Sequence, residues 1–236
     1  MISWLHPEAY TFPPVSLALR DPEGLLAAGG DLTPARIISA YKRGIFPWYN
    51  PGEPILWWSP NPRCVIYPNQ VHISKSLKKS LRKNDFRVTF DLNFEEVMRA
   101  CSGPRQNATG TWISEEIIDA YTRLHRMGIA HSVEVWRDKQ LIGGLYGMSL
   151  GRIFFGESMF SKETDASKIA FSFLCHQLNK WGFALIDCQV HNPHLESMGA
   201  IEIPRDTFID ILAEHTEAVP HQGWMFEIDT QYILGS

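Results

Sequence analysis

Apolar and polar positions recur with two different periods along this chain, and together they mark out most of its elements. Up to about residue 30 neither period is visible, and Pro and Gly are frequent. Thr33-Pro34 then has the form of an N-cap and first helical residue, Ala35 to Arg43 makes a short helix, and Gly44 closes it. From Ile45 to Arg63, five prolines and Trp48, Trp57 and Trp58 exclude a long helix. That stretch is extended and turn-rich, and needs a neighbouring surface for its tryptophans. Cys64 to Tyr67 reads as a strand, Ser74 to Lys83 as a helix, Phe86 to Phe90 as a strand and Phe94 to Cys101 as a helix. Ser114 caps a helix running to Met127. Residues 131–137, 140–148 and 151–160 read as successive strands, Asp165 to Trp181 as an amphipathic helix, and Phe183 to Val190 as a strand. Asn192-Pro193 opens a short helix that ends at Gly199. The order predicts an α+β protein with a mixed sheet, with a small N-terminal domain at 1–64 and a second domain at 65–236.

This order resembles the acetyltransferase-like (GNAT) fold, with one departure. That fold grips coenzyme A pyrophosphate on a Gly-rich loop at the start of its central helix. Here the corresponding segment is Ser161-Lys162-Glu163-Thr164-Asp165-Ala166-Ser167, with no glycine and two acidic residues. Acidic side chains at a helix N-terminus favour the helix and disfavour a bound pyrophosphate. No acyl-CoA donor is expected.

Composition narrows the reading further. The chain has 236 residues and a formal net charge of −4, so overall charge does not announce a nucleic-acid binder and such a role needs a local patch. Lys75, Lys78, Lys79, Arg82 and Lys83 supply one at helical spacing, with Arg87 behind them and only Asp85 nearby to offset them. A solvated helix face is the plainer alternative. The four cysteines have no CxxC spacing, which fits buried free thiols in a reducing cytosol. The N-terminus lacks the pattern of a signal peptide, no apolar run approaches about 18 residues, and a cytoplasmic chain is expected. Asn107-Ala108-Thr109 has the form of a glycosylation acceptor, without meaning there. No metal-ligand constellation and no nucleophile elbow stands out.

Two segments carry the candidate chemistry. In Leu185 to Asn192, strand alternation sets Asp187, Gln189 and His191 on one face and Ile186, Cys188 and Val190 on the other. A carboxylate and a carboxamide on one face can form a short relay, or a positioning pair, for a reacting amine or carbonyl; the plainer alternative is strand-end polar residues bonded to the backbone. In Phe154 to Phe160, alternation groups Phe155, Glu157 and Met159, leaving Glu157 among apolar neighbours at a cost that a partner must offset. Its two readings are a buried carboxylate paired with Arg or Lys, and a counter-charge for a cationic substrate. Asn192 is either a site residue or no more than a helix cap.

Further segments resemble the leucyl/phenylalanyl-tRNA–protein transferases. They are Gly24-Leu25-Leu26-Ala27, Gly29-Gly30-Asp31-Leu32, Tyr41-Lys42-Arg43-Gly44-Ile45-Phe46-Pro47-Trp48, Ile55 to Arg63, Gly110-Thr111-Trp112-Ile113, His131 to Trp136, Gly143 to Gly147, Gly156 to Phe160 and Ile186-Asp187-Cys188-Gln189. The resemblance implies transfer of leucine or phenylalanine, and methionine less well, from tRNA to the N-terminal Arg or Lys of a protein, marking it for N-degron degradation. It implies Asp187 and Gln189 as the catalytic pair and Glu157 against the cationic end of the acceptor. Tyr41, Trp48 and Trp112 become stacking surfaces for the terminal adenosine. Phe154, Phe171, Phe173 and Leu174 become pocket residues with Asn192 beside them, and the basic ridge faces the acceptor stem. The donor ester is already activated, so no coenzyme A, metal or other cofactor is expected, and the chain is expected to act as a monomer. The alternatives are an acyl-CoA-dependent acetyltransferase and a non-enzymatic reader of basic N-termini.

Overall fold

The computed structural model describes residues 2–103 and 111–235. The Asn107-Ala108-Thr109 sequon and Gly110 lie outside them. The first sheet contains β1 (Ser3–Leu5), β2 (Leu25–Gly29), β3 (Phe46–Pro47) and β4 (Leu56–Trp58), in the order β1-β2-β4-β3. Helix α1 (Pro34–Tyr41) lies between β2 and β3 in sequence. The segment without visible periodicity thus contains two strands. β2 is buried along its whole length. A strand covered on both faces has no polar side to alternate with, and β1 has only three residues, too few to show a period. Of the tryptophans of the Pro-rich stretch, Trp57 finds its surface here: it is fully buried and its indole N–H donates to the Gly29 carbonyl at 2.9 Å.

The second sheet contains β5 (Arg63–Ile66), β6 (Arg87–Phe90), β7 (Ala130–Arg137), β8 (Gln140–Leu150), β9 (Ile153–Ser161), β10 (Leu185–Gln189) and β11 (Ile201–Ile203). Its order is β11-β5-β10-β9-β8-β7-β6, and every pair is antiparallel except β9 with β10. The helices around it are α2 (Lys75–Lys83), α3 (Phe94–Cys101), α4 (Glu115–Arg126), α5 (Ala166–Lys180), α6 (Pro193–Glu196), α7 (Arg205–His215) and α8 (Thr230–Gly235). The mixed sheet and α+β class match the sequence reading. Ser114 and Asn192 cap α4 and α6 as expected, and Ser74 caps α2, each accepting a backbone N–H three residues on. β11, α7 and α8 were not foreseen.

Both faces of the second sheet are covered. Val65, Phe155 and Leu185 point into one apolar cluster with α3, α4, α7 and the first sheet. Their strand neighbours Cys64, Ile66, Phe154 and Ile186 point into another with α2, α5 and the C-terminal segment. The start of α5 sits directly on β8: a Cβ added at Gly143 would lie 2.5 Å from Ala166 Cβ.

Three irregularities at the centre of the sheet make room for a site. The β9/β10 ladder pairs only Ile153–Phe155 with Leu185–Asp187, and β9 then continues with β8 alone. A bulge in β9 sets Gly147 opposite Gly156 but Tyr146 opposite Ser158, leaving Glu157 without a strand partner. A third irregularity lies in β10, where Asp187 opposes Val65 but Gln189 opposes Cys64. An extra residue reverses the side-chain parity beyond it.

Candidate active site

A pocket of about 540 Å³ opens where β9 and β10 part. Its apolar wall is formed by Leu145, Phe154, Met159, Phe171, Leu174 and Leu195. Phe154 belongs to the expected set, as do Phe171 and Leu174 on α5. Phe173 does not join them: it is buried and packs edge-on against Phe86 and Phe226. On a helix, residues 171 and 174 share a face, whereas 173 is turned about 200° from 171. Met159 comes to the wall because the β9 bulge moves it from the Phe155 face to the Phe154 face, so the expected grouping of Phe155, Glu157 and Met159 does not form.

At the polar end, Glu157 and Gln189 face each other across the parted strands. Gln189 Nε2 donates to Glu157 Oε1 at 3.0 Å. The Tyr41 hydroxyl donates to the same oxygen at 2.6 Å, and the Tyr121 hydroxyl lies 2.6 Å from that of Tyr41 and 3.3 Å from Glu157 Oε2. Among the described residues Glu157 therefore has neutral donors around it and no paired cation. Burial pushes its carboxyl up to about 7, against the lowering effect of the Tyr41 and Gln189 hydrogen bonds. Burial also raises both tyrosines well above the usual phenol range, so they remain donors.

Asp187 carries the Arg partner that the sequence reading allowed for Glu157. It is fully buried and receives Arg63 Nε at 2.8 Å and Arg63 Nη2 at 2.6 Å. Arg63 is 1% exposed, also donates to the Gly44 carbonyl at 3.1 Å, and lies between the Phe46 and Phe208 rings. Asp187 is thus sealed from the pocket, but its Oδ1 accepts the Gln189 backbone N–H at 2.9 Å. That bond accompanies an unusual backbone: Gln189 has φ +62°. Left-handed backbone at a non-glycine residue costs roughly 1–2 kcal/mol and concentrates at functional sites. The expected alternation through His191 fails here. Cys188, Gln189 and Val190 all line the pocket, while His191 lies beyond β10 against Glu196 at 3.1 Å.

Trp48 and Trp112 line the rim. Trp48 is half exposed and held by β4: its carbonyl accepts the Trp58 indole N–H at 2.6 Å. Tyr41, the third expected stacking surface, is unavailable. It is fully buried, edge-on to Phe155, and its hydroxyl is spent on Glu157. Asn192 lines the pocket by one edge while its Oδ1 caps α6 on the Leu195 N–H at 2.9 Å. Sequence reasoning gave no role to Arg63 or Tyr121. Arg63 opens an otherwise apolar strand, which was the available signal; Tyr121 shares a helix face with Ile117 and Leu124 and reads as plain core.

Elsewhere, α2 buries Leu77 and Leu81 and leaves Lys75, Lys79, Arg82 and Lys83 exposed with Lys78 half-buried. Among the described residues none of these five makes an ion pair, and Asp85 is occupied by Arg137 at 3.0 Å. The start of α5 is closed by its own acids. Asp165 accepts the Ser80 hydroxyl at 2.7 Å, and Glu163 pairs with Arg137.

The pocket thus joins a carboxylate, a carboxamide and an apolar wall. The family model "Leucyl/phenylalanyl-tRNA protein transferase" matches residues 65–213, and that of the family's N-terminal domain matches residues 30–61. A leucyl/phenylalanyl-tRNA–protein transferase of Cellvibrio japonicus is 62% identical over 92% of this chain and 92% of its own length. One of Stutzerimonas stutzeri is 56% identical over 95% of this chain and 99% of its own. A solved GCN5-related N-acetyltransferase from Kribbella flavida, 9% identical, covers 72% of this chain and 60% of its own with a TM-score of 0.37, too low to bear on the fold. The chain belongs to the leucyl/phenylalanyl-tRNA protein transferase family and is an aminoacyltransferase. Among the described residues no helix is long and apolar enough to cross a membrane.

Proposed function

We propose that the protein transfers leucine or phenylalanine, and methionine less well, from the 3′ end of tRNA to the N-terminal Arg or Lys of acceptor proteins in the cytoplasm, marking them for N-degron degradation. The observation that carries this reading is the single pocket that joins an apolar wall, two rim tryptophans and the Glu157–Gln189 pair. The wall suits a leucine or phenylalanine side chain. Trp48 and Trp112 suit the terminal adenosine, where stacking contributes about 1–3 kcal/mol per base. The free cations of α2 suit the phosphates of the acceptor stem, a contact tolerant of sequence.

The acceptor's α-amine attacks the ester carbonyl, the tetrahedral intermediate collapses, and the ribose 3′-hydroxyl leaves. The ester is already activated, so the residues mainly hold the reactants together and stabilise charge, and neither coenzyme A nor a metal has a step to perform. Glu157 faces the cationic end of the acceptor. Gln189 positions the reacting groups, and Asp187 acts through it by fixing its backbone. The acids at the start of α5 oppose a pyrophosphate there, which supports a donor other than acyl-CoA.

Purified protein, offered labelled leucyl-, phenylalanyl-, isoleucyl- and valyl-tRNA with a peptide beginning in Arg, is expected to label the peptide from the first two. Isoleucine and valine are expected to trail by roughly 10–200-fold, the range that shape and one methylene supply. Equal transfer from all four, or from none, would contradict the reading.

A further inference from the structure

We infer that Cys64 and Cys188 are a redox pair: a peroxide closes them into a disulfide between β5 and β10 that stops transfer, and a thiol reductant reopens it. Formation of the bond is independent of the function proposed above; its effect on transfer rests on that reading. The extra residue in β10 creates the pair. Asp187 opposes Val65 and Gln189 opposes Cys64, so Cys188 has no separate partner on β5. A bulge sets two residues against one, and here it brings Cys188 beside Cys64. Both side chains pack into the cluster on the α5 side of the sheet. Their sulfurs are in contact. The Cys188 S–H donates to the Cys64 sulfur and holds the Cys64 thiol below its usual range, while that bond and burial push Cys188 well above it. Cys64, Cys101 and Cys175 are buried, whereas Cys188 is half-buried and lines the pocket.

Oxidation proceeds from the pocket. The Cys188 sulfur attacks one oxygen of hydrogen peroxide, the oxygen–oxygen bond breaks, and a sulfenic acid and one water result. The Cys64 sulfur then attacks the sulfenic sulfur, the sulfur–sulfur bond forms, and the hydroxyl leaves with the Cys64 proton as a second water. Each sulfur gives up one electron and the peroxide takes both. A thiol held high reacts slowly and one held low reacts readily, so the first step is slow and the sulfenic acid does not accumulate. A disulfide holds its sulfurs roughly 2.05 Å apart, closer than a hydrogen-bonded contact. Closing it draws Cys188 onto β5 between Asp187, which Arg63 holds, and Gln189, whose backbone N–H bonds to Asp187. The Gln189 carboxamide then leaves its place on Glu157. A displacement of about 1 Å at a reacting centre costs about 10²-fold in rate.

The test is to treat the protein with hydrogen peroxide, alkylate it, digest it without reduction and map the peptides by mass spectrometry. The peptides containing Cys64 and Cys188 are expected to be joined, with the mass of two hydrogens lost. Transfer from leucyl-tRNA is expected to fall about 10²-fold in the joined protein, and dithiothreitol to restore it. Cys64→Ala removes the second sulfur. It is expected to keep the untreated rate, to form no joined peptide, and to accumulate a sulfenic acid on Cys188 that dimedone traps. No joined peptide in the wild type, a bond from Cys188 to Cys175 instead, or a joined protein with full transfer would overturn the inference. So would a loss of transfer that dithiothreitol does not reverse, which marks oxidation elsewhere, as at Met159. If Cys64→Ala does not fold, the wild-type map and its reversal decide. Absence of transfer before any peroxide would instead remove the proposed function, and the joined peptide would still be read by its mass.

Discussion

Arg63→Met is expected to destabilise the fold by about 3–5 kcal/mol in urea unfolding, although the residue touches no substrate. The reason is what it leaves behind. Asp187 is fully buried, and both of its oxygens are held by the Arg63 guanidinium. Without that partner a carboxylate remains in the core, with the Gln189 N–H as its one donor among the described residues. The guanidinium also fills the space between Phe46 and Phe208 and satisfies the Gly44 carbonyl. Arg63→Met combined with Asp187→Leu removes both charges and is expected to recover most of the lost stability, since buried pairs exchange for apolar residues at little cost. Transfer is not expected to recover, because Gln189 has then lost the acceptor that holds its backbone. Recovery of both properties together would reduce the Arg63–Asp187 pair to a structural feature.

The second large effect concerns Gln189. Gln189→Ala is expected to lower the limiting rate about 10²-fold, the scale on which a single positioned donor acts at a reacting centre. Affinity for tRNA should be unchanged, because the rim tryptophans and the α2 cations are untouched. Gln189→Gly separates backbone from side chain: glycine adopts a positive φ without strain, so an equal loss in both variants places the effect on the carboxamide. Full turnover in either variant would remove Gln189 from the reacting centre.

In the second sheet β7, β8 and β9, and the helices α2 to α5, are legible in the sequence because each runs for eight or more residues, whereas β5, β6 and β10 show only as short apolar runs. The first sheet is not: β2 is apolar throughout and β1 is three residues long. At the site the sequence pattern singles out Glu157, Asp187 and Gln189 and misplaces how they meet. Alternation sets Asp187 and Gln189 on one face, but an extra residue in β10 and a left-handed Gln189 turn one inward to Arg63 and the other into the pocket. The same kind of extra residue at Glu157 brings Met159 to the pocket wall. Bulges leave no mark in a hydrophobic pattern, since they depend on the register of the partner strand. Long-range pairing is equally invisible: Arg63 and Asp187 are 124 positions apart, and nothing local to either announces the other.

The central claim is that the parted strands hold an α-amine against an aminoacyl ester, and the position of the new bond tests it most directly. A peptide beginning in Arg and carrying an internal Lys, incubated with the protein and leucyl-tRNA, is mapped by fragment-ion mass spectrometry, with its N-acetylated form in parallel. One leucine on the α-nitrogen of the first residue, and none on the acetylated peptide, is the predicted result. Leucine on the internal Lys side chain, or on the acetylated peptide, would contradict it.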